Sequence, residues 1–105
     1  MPKIERAEEF GADASRQITY LLGRRELSWI KTLRDDLAEL ELLLAEFPLA
    51  GRQLAQQRTD LLLRLRLRTA PFYVWYSFDP GKKGARLRLL RLFHVRQQGP
   101  TGRLP

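Results

Sequence analysis

Leu61-Leu62-Leu63-Arg64-Leu65-Arg66-Leu67-Arg68-Thr69-Ala70-Pro71-Phe72-Tyr73-Val74-Trp75-Tyr76-Ser77-Phe78 is the stretch that decides the fold. Its first eight residues alternate almost strictly. In an extended chain successive side chains point to opposite sides, so Leu63, Leu65 and Leu67 fall on one face and Arg64, Arg66 and Arg68 on the other. That pattern predicts a half-buried strand. Ala70-Pro71 breaks it, because proline has no N–H for a strand ladder. The run Phe72 to Phe78 is aromatic, β-branched and uncharged, the composition of a strand that is covered on both sides or central in its sheet. It is predicted to be the middle strand.

Toward the C-terminus, Asp79-Pro80-Gly81-Lys82-Lys83-Gly84 has the proline, glycine and polar content of a hairpin loop. Arg86-Leu87-Arg88-Leu89 alternates again. Leu90-Arg91-Leu92-Phe93 then breaks the phase, which implies either a bulge or a strand end buried on both faces. Beyond Val95 no apolar period remains. One domain over residues 1–98 is expected, followed by a tail over 99–105.

Toward the N-terminus the period changes. Phe10, Ala14, Ile18, Leu21 and Leu22 recur at helical spacing, with Gly23 placed for a left-handed cap. From about Arg25 to Phe47 the apolar set is Trp29, Leu33, Leu37, Leu40, Leu44 and Phe47, while Arg34, Asp35, Glu39 and Glu46 fall mostly elsewhere on the wheel. Pro48 stops this second helix, and Gly51 permits a turn. Two antiparallel helices alone leave a large apolar face wet, so the sheet must cover it. The predicted fold is therefore α+β, a helical hairpin packed on a small, mainly antiparallel sheet of three to four strands.

The chain has 105 residues, enough for one modest core. Its formal charge of +7 is unevenly spread. Residues 1–51 carry seven Lys/Arg against ten Asp/Glu, net −3, whereas residues 52–105 carry twelve against two, net +10. A half that basic implies a polyanion or an acidic protein as partner. With no cysteine and a single histidine, His94, neither disulfides nor a transition-metal cluster is available, and no cofactor is implied. No secretory leader or membrane-spanning run is read, so a cytoplasmic location is expected.

Three segments resemble the RelE and ParE toxin family. Leu44-Ala45-Glu46-Phe47-Pro48-Leu49-Ala50-Gly51-Arg52 is similar to the family's helix exit, an apolar residue and proline followed by glycine and arginine. Arg68 to Tyr76 resembles its strand that runs from a basic residue through a turn into aromatics ending in tyrosine. Leu90-Arg91-Leu92-Phe93-His94-Val95-Arg96 resembles its closing strand. The resemblance spans roughly residues 10–98, and the helical hairpin followed by three antiparallel strands matches the family's plan. It departs at the start, where family members open with a clear strand beside the last one while residues 3–7 offer one strong apolar residue, Ile4. The tail also lacks the helix or terminal tyrosine of some ribonuclease members.

The resemblance implies a growth-inhibiting toxin neutralised by a cognate acidic antitoxin. In the ParE-like form it acts on DNA gyrase without catalysis; in the RelE-like form it is an endoribonuclease that cuts messenger RNA on the ribosome. A non-toxic nucleic-acid-binding module is a third reading. Physically, Arg64, Arg66 and Arg68 at alternate positions stand about 6 to 7 Å apart, near the spacing of successive phosphates, and guanidinium suits bidentate anion pairing. Arg52, Arg88 and Arg91 extend that patch. For RNA cleavage, His94 is the candidate as the chain's one histidine, the residue type whose unperturbed pKa lies near neutrality, with Arg91 and Arg96 on flanking positions and Glu46 the nearest carboxylate candidate. Gly81-Lys82-Lys83-Gly84 lacks the spacing and hydroxyl residue of a phosphate-binding loop. Trp29, Tyr73, Trp75 and Tyr76 are either core or base-stacking groups.

Overall fold

A computed structural model describes residues 2–81 and 84–96; the expected tail, 99–105, lies outside them. The order is β1 (Lys3–Arg6), α1 (Glu8–Gly23), α2 (Leu27–Glu46), β2 (Arg52–Gln57), β3 (Asp60–Arg66), β4 (Phe72–Asp79) and β5 (Arg86–His94). The strands form one sheet in the order β1-β5-β4-β3-β2, so the uncharged aromatic run is indeed central. All pairings are antiparallel except β1 with β5. The α+β class holds, but the sheet has five strands where three to four were expected.

Both extra strands are edges. β1 forms although Ile4 is its one strong apolar residue, because it pairs in parallel with Arg86 to Leu89 of β5 and is continued by the Ala7 amide donating to the Leu89 carbonyl at 2.8 Å. β2 reads Arg-Gln-Leu-Ala-Gln-Gln, without alternation. It joins β3 through Arg58-Thr59, with Arg58 in the left-handed region at φ 54°.

α2 packs Leu33, Leu37, Leu40 and Leu44 into a core that includes Phe10 of α1, Leu63 of β3, Val74 and Tyr76 of β4, and Leu87, Leu89 and Leu92 of β5. The ends of the predicted stripe do not take part: Trp29 and Phe47 are 41% and 56% exposed. The first helix ends differently from the expectation as well. Gly23 is helical, and Arg25 holds the left-handed conformation, φ 56°, with its amide donating to the Leu22 carbonyl. Among the described residues no helix is long and apolar enough to cross a membrane.

Three polar contacts fix the layers. Asp36, buried in α2, accepts from the amides of Thr69 and Ala70 at 2.8 and 2.6 Å and so caps the β3–β4 turn. The Tyr76 hydroxyl donates to the Pro48 carbonyl at 3.0 Å and accepts from the Gly51 amide at 2.8 Å, tying the exit of α2 to the central strand. A Cβ on Gly51 would lie 2.6 Å from that hydroxyl and 2.8 Å from the Arg64 carbonyl, so only glycine lets β2 begin here. Finally, Asp13 of α1 accepts from the Leu92 amide at 3.0 Å, just past the end of β1's pairing with β5. The broken phase in β5 is a bulge: Trp75 faces Arg91 while Tyr76 faces Leu89, and both Leu92 and Phe93 beyond it are buried.

Candidate functional site

Strand pairing sorts the predicted residues onto two faces. Arg52 is opposite Arg64, Arg64 opposite Trp75, and Trp75 opposite Arg91, one transverse row across four strands. Beside it runs a second row, Arg66, Tyr73 and Phe93, and on the other side a third, Leu62, Ser77 and Arg88. Alternation puts these rows on the face away from the main core, whose members are their neighbours Leu63, Val74, Tyr76, Leu89 and Leu92, with Leu65 packed against it. Arg52, Arg66 and Arg88 are exposed there and Arg64 is half-buried.

Arginines themselves cover the aromatics of this face. The Arg64 guanidinium lies 4.3 Å over the Tyr73 ring and that of Arg91 5.2 Å over Phe93, which meets Trp75 edge-on at 5.2 Å. Trp75 is 5% exposed and Tyr76 belongs to the core on the other side. The four candidate stacking groups therefore do not form an open platform. Trp29 is exposed, but on the helical layer.

The arginines differ in their compensation. Arg91 is held by Asp13, Nε to Oδ2 at 2.8 Å and Nη2 to Oδ1 at 3.2 Å, and Arg16 adds a further bond to the same carboxylate. Burial opposes ionisation of Asp13, yet the bonds from Arg91 and the Leu92 amide prevail and its pKa falls below the ordinary value, while Asp13 raises that of Arg91. Neither Asp13 nor its role is apparent from charge pattern alone; the available signal is an aspartate on the apolar side of α1, three residues after Phe10. Arg68 leaves the predicted row: β3 ends at Arg66, and Arg68 pairs with Glu39 of α2 at 3.1 Å. By contrast Arg52, Arg64 and Arg66 have no carboxylate within ion-pair distance among the described residues. Arg52 and Arg64 are like charges directly opposite one another, an arrangement that disfavours the folded sheet.

His94 is elsewhere. It pairs with Phe72, whose side chain is in the core, and meets that ring edge-on at 5.5 Å. It lines a cavity of about 250 Å³ on the helix side with Gln17, Tyr20, Glu26 and Trp29. Its Nδ1 accepts from the Arg96 amide at 3.2 Å. Strand alternation thus turns His94 toward the helix side and the rows of Arg52, Arg64 and Arg66 toward the other, whereas Arg91 reaches Asp13 of α1, and Arg96 sits in the turn after β5. Glu46 ends α2 and is exposed. On the arginine face a groove of about 400 Å³ is lined by Leu62, Ser77, Leu90 and Arg91 with Glu9 and Asp60. The described residues contain no group of three or more metal-ligating side chains. No protein-family model, no curated protein and no solved structure matches the chain.

Proposed function

We propose that the chain is a growth-inhibiting toxin of the ParE-like kind, which acts by binding DNA gyrase and is neutralised by an acidic antitoxin. The observation that carries the binding form over the ribonuclease form is the strand alternation that turns His94 toward the helix side and Arg52, Arg64 and Arg66 toward the opposite face. General acid–base cleavage needs its proton-transfer groups and phosphate-holding cations around one reacting centre. The arginine face offers cations but no histidine. Further support comes from the arrangement around the closing strand, where β1 lies beside β5 as the family resemblance implies.

The test is induction of the chain in bacteria without an antitoxin, followed by growth, plasmid topology and messenger RNA 5′ ends. The expected result is arrest with loss of negative supercoiling and no new 5′ ends. New ends clustered within codons would establish the ribonuclease reading instead, and undisturbed growth would reject both toxin readings.

A further inference from the structure

The geometry points to the phosphodiester backbone of duplex DNA as the ligand of the arginine face, bound at Arg52, Arg64 and Arg66. This deepens the gyrase reading and rests on it for its biological setting: the toxin would engage its target while that target holds DNA.

Three observations converge. Arg52 and Arg64 are directly opposite on neighbouring strands and Arg66 follows two residues on, so three guanidinium groups share one end of the face without a carboxylate among the described residues. The other arginines that bridge elements, Arg6, Arg68 and Arg91, each have one. An uncompensated like-charge cluster becomes favourable when an anion enters it, and guanidinium pairs with phosphate oxygens through two parallel hydrogen bonds. Arg64 is also held in place over Tyr73 at 4.3 Å, so its donors are presented by a partly ordered side chain.

The aromatics decide between duplex and single strand. Proteins that hold single strands stack unpaired bases on open aromatic rings. Here Tyr73 and Phe93 are capped by the chain's own arginines and Trp75 is buried. What remains accessible is charge without a stacking surface, which suits a partner whose bases are already paired and whose phosphates face outward. Such contacts position a protein on the backbone and carry no sequence information.

The experiment measures binding of the purified chain to a labelled duplex of about 20 base pairs, to one of its single strands, and to a glutamate-rich peptide of equal length, across a salt series. The duplex is expected to bind at least about fivefold tighter than the single strand, with log K falling linearly against log salt. Arg52→Gln and Arg66→Gln are each expected to lower that slope by about 1, Arg66→Lys to preserve it, and His94→Ala to leave it unchanged. Equal or tighter binding of the single strand overturns the proposal in favour of an RNA surface. Binding of the peptide without the duplex overturns it in favour of a protein interface, and so does a salt slope indifferent to both arginine changes. Should a variant fail to fold, the duplex to single-strand ratio of the unaltered chain decides alone. Growth arrest without duplex binding refutes this inference only; duplex binding without growth arrest refutes the toxin reading only.

Discussion

The two faces of the sheet are built from alternate residues of the same strands and obey opposite rules. On the helix side Leu63, Val74, Tyr76 and Leu89 of the central rows are buried in the core with α1 and α2, and among the described residues no buried side-chain polar atom lacks a hydrogen-bond partner. On the other side the aromatics Tyr73 and Phe93 are covered by arginines, and Arg52, Arg64, Arg66 and Arg88 have no carboxylate within ion-pair distance among the described residues. The first face supplies stability. The second gives some of it up by placing Arg52 against Arg64, and an arrangement that disfavours folding on its own account is what a binding surface looks like before its ligand arrives.

The contrast makes its largest prediction in stability. Leu63→Ala removes a side chain that is 2% exposed and is expected to cost about 2 to 5 kcal/mol, whereas its neighbour Arg64→Gln on the opposite face costs no more than about 1 kcal/mol. Denaturant unfolding of the two variants measures the difference; equal costs would break the two-face description. Next in size is the tie between the layers. Tyr76→Phe leaves the Gly51 amide and the Pro48 carbonyl without their partner and is expected to cost about 1 to 3 kcal/mol. The Tyr76 hydroxyl is itself pushed to a higher pKa by burial, against the bond from Gly51.

An effect of comparable size probes Arg91, the arginine of the face that pairs with a carboxylate. The pKa of Asp13 is depressed below its ordinary 3.8, so its contribution to stability is complete above that value and is lost as the pH falls through the folded-state value. Asp13→Asn is expected to lower stability at neutral pH by about 1 to 3 kcal/mol and to flatten the acid limb of the stability curve below about pH 4. Unfolding measured between pH 2 and 7 in the two chains checks this, and an unchanged acid limb would mean that the Arg91 contact is not formed. The smallest effect has the most informative sign. Arg52→Glu replaces a like-charge pair by an opposite pair across from Arg64 and is expected to stabilise the fold by about 0.2 to 1 kcal/mol while weakening duplex binding.

These regions were unequally legible in the sequence. The middle strand, the core of α2 and the arginine alternation were readable because burial on one side imposes a period. The edge strands were not. β2 has only Leu54 and Ala55 as apolar residues, adjacent rather than alternating, and a register shift between Gln53 and Ala55 removes what period remained. Its turn uses Arg58 at positive φ where glycine or asparagine gives the usual signal. Of the residues grouped with His94, Arg96 does lie beside it, its amide bonded to Nδ1, whereas Arg91 is three positions away on the strand and residues of opposite parity point apart. The bulge at Leu90 then fixes which parity faces the core. Asp13 and Asp36 could have been suspected from their wheel positions, Asp36 lying between Leu33 and Leu37 on the buried stripe of α2, but their partners come from distant strands and turns.

The most direct test of where function resides compares two variants for growth arrest after induction without an antitoxin. Arg64→Gln combined with Arg66→Gln is predicted to relieve arrest at unchanged protein level, and His94→Ala to arrest as fully as the unaltered chain. Relief by His94→Ala with arrest retained in the double arginine variant would contradict the assignment of function to the arginine face.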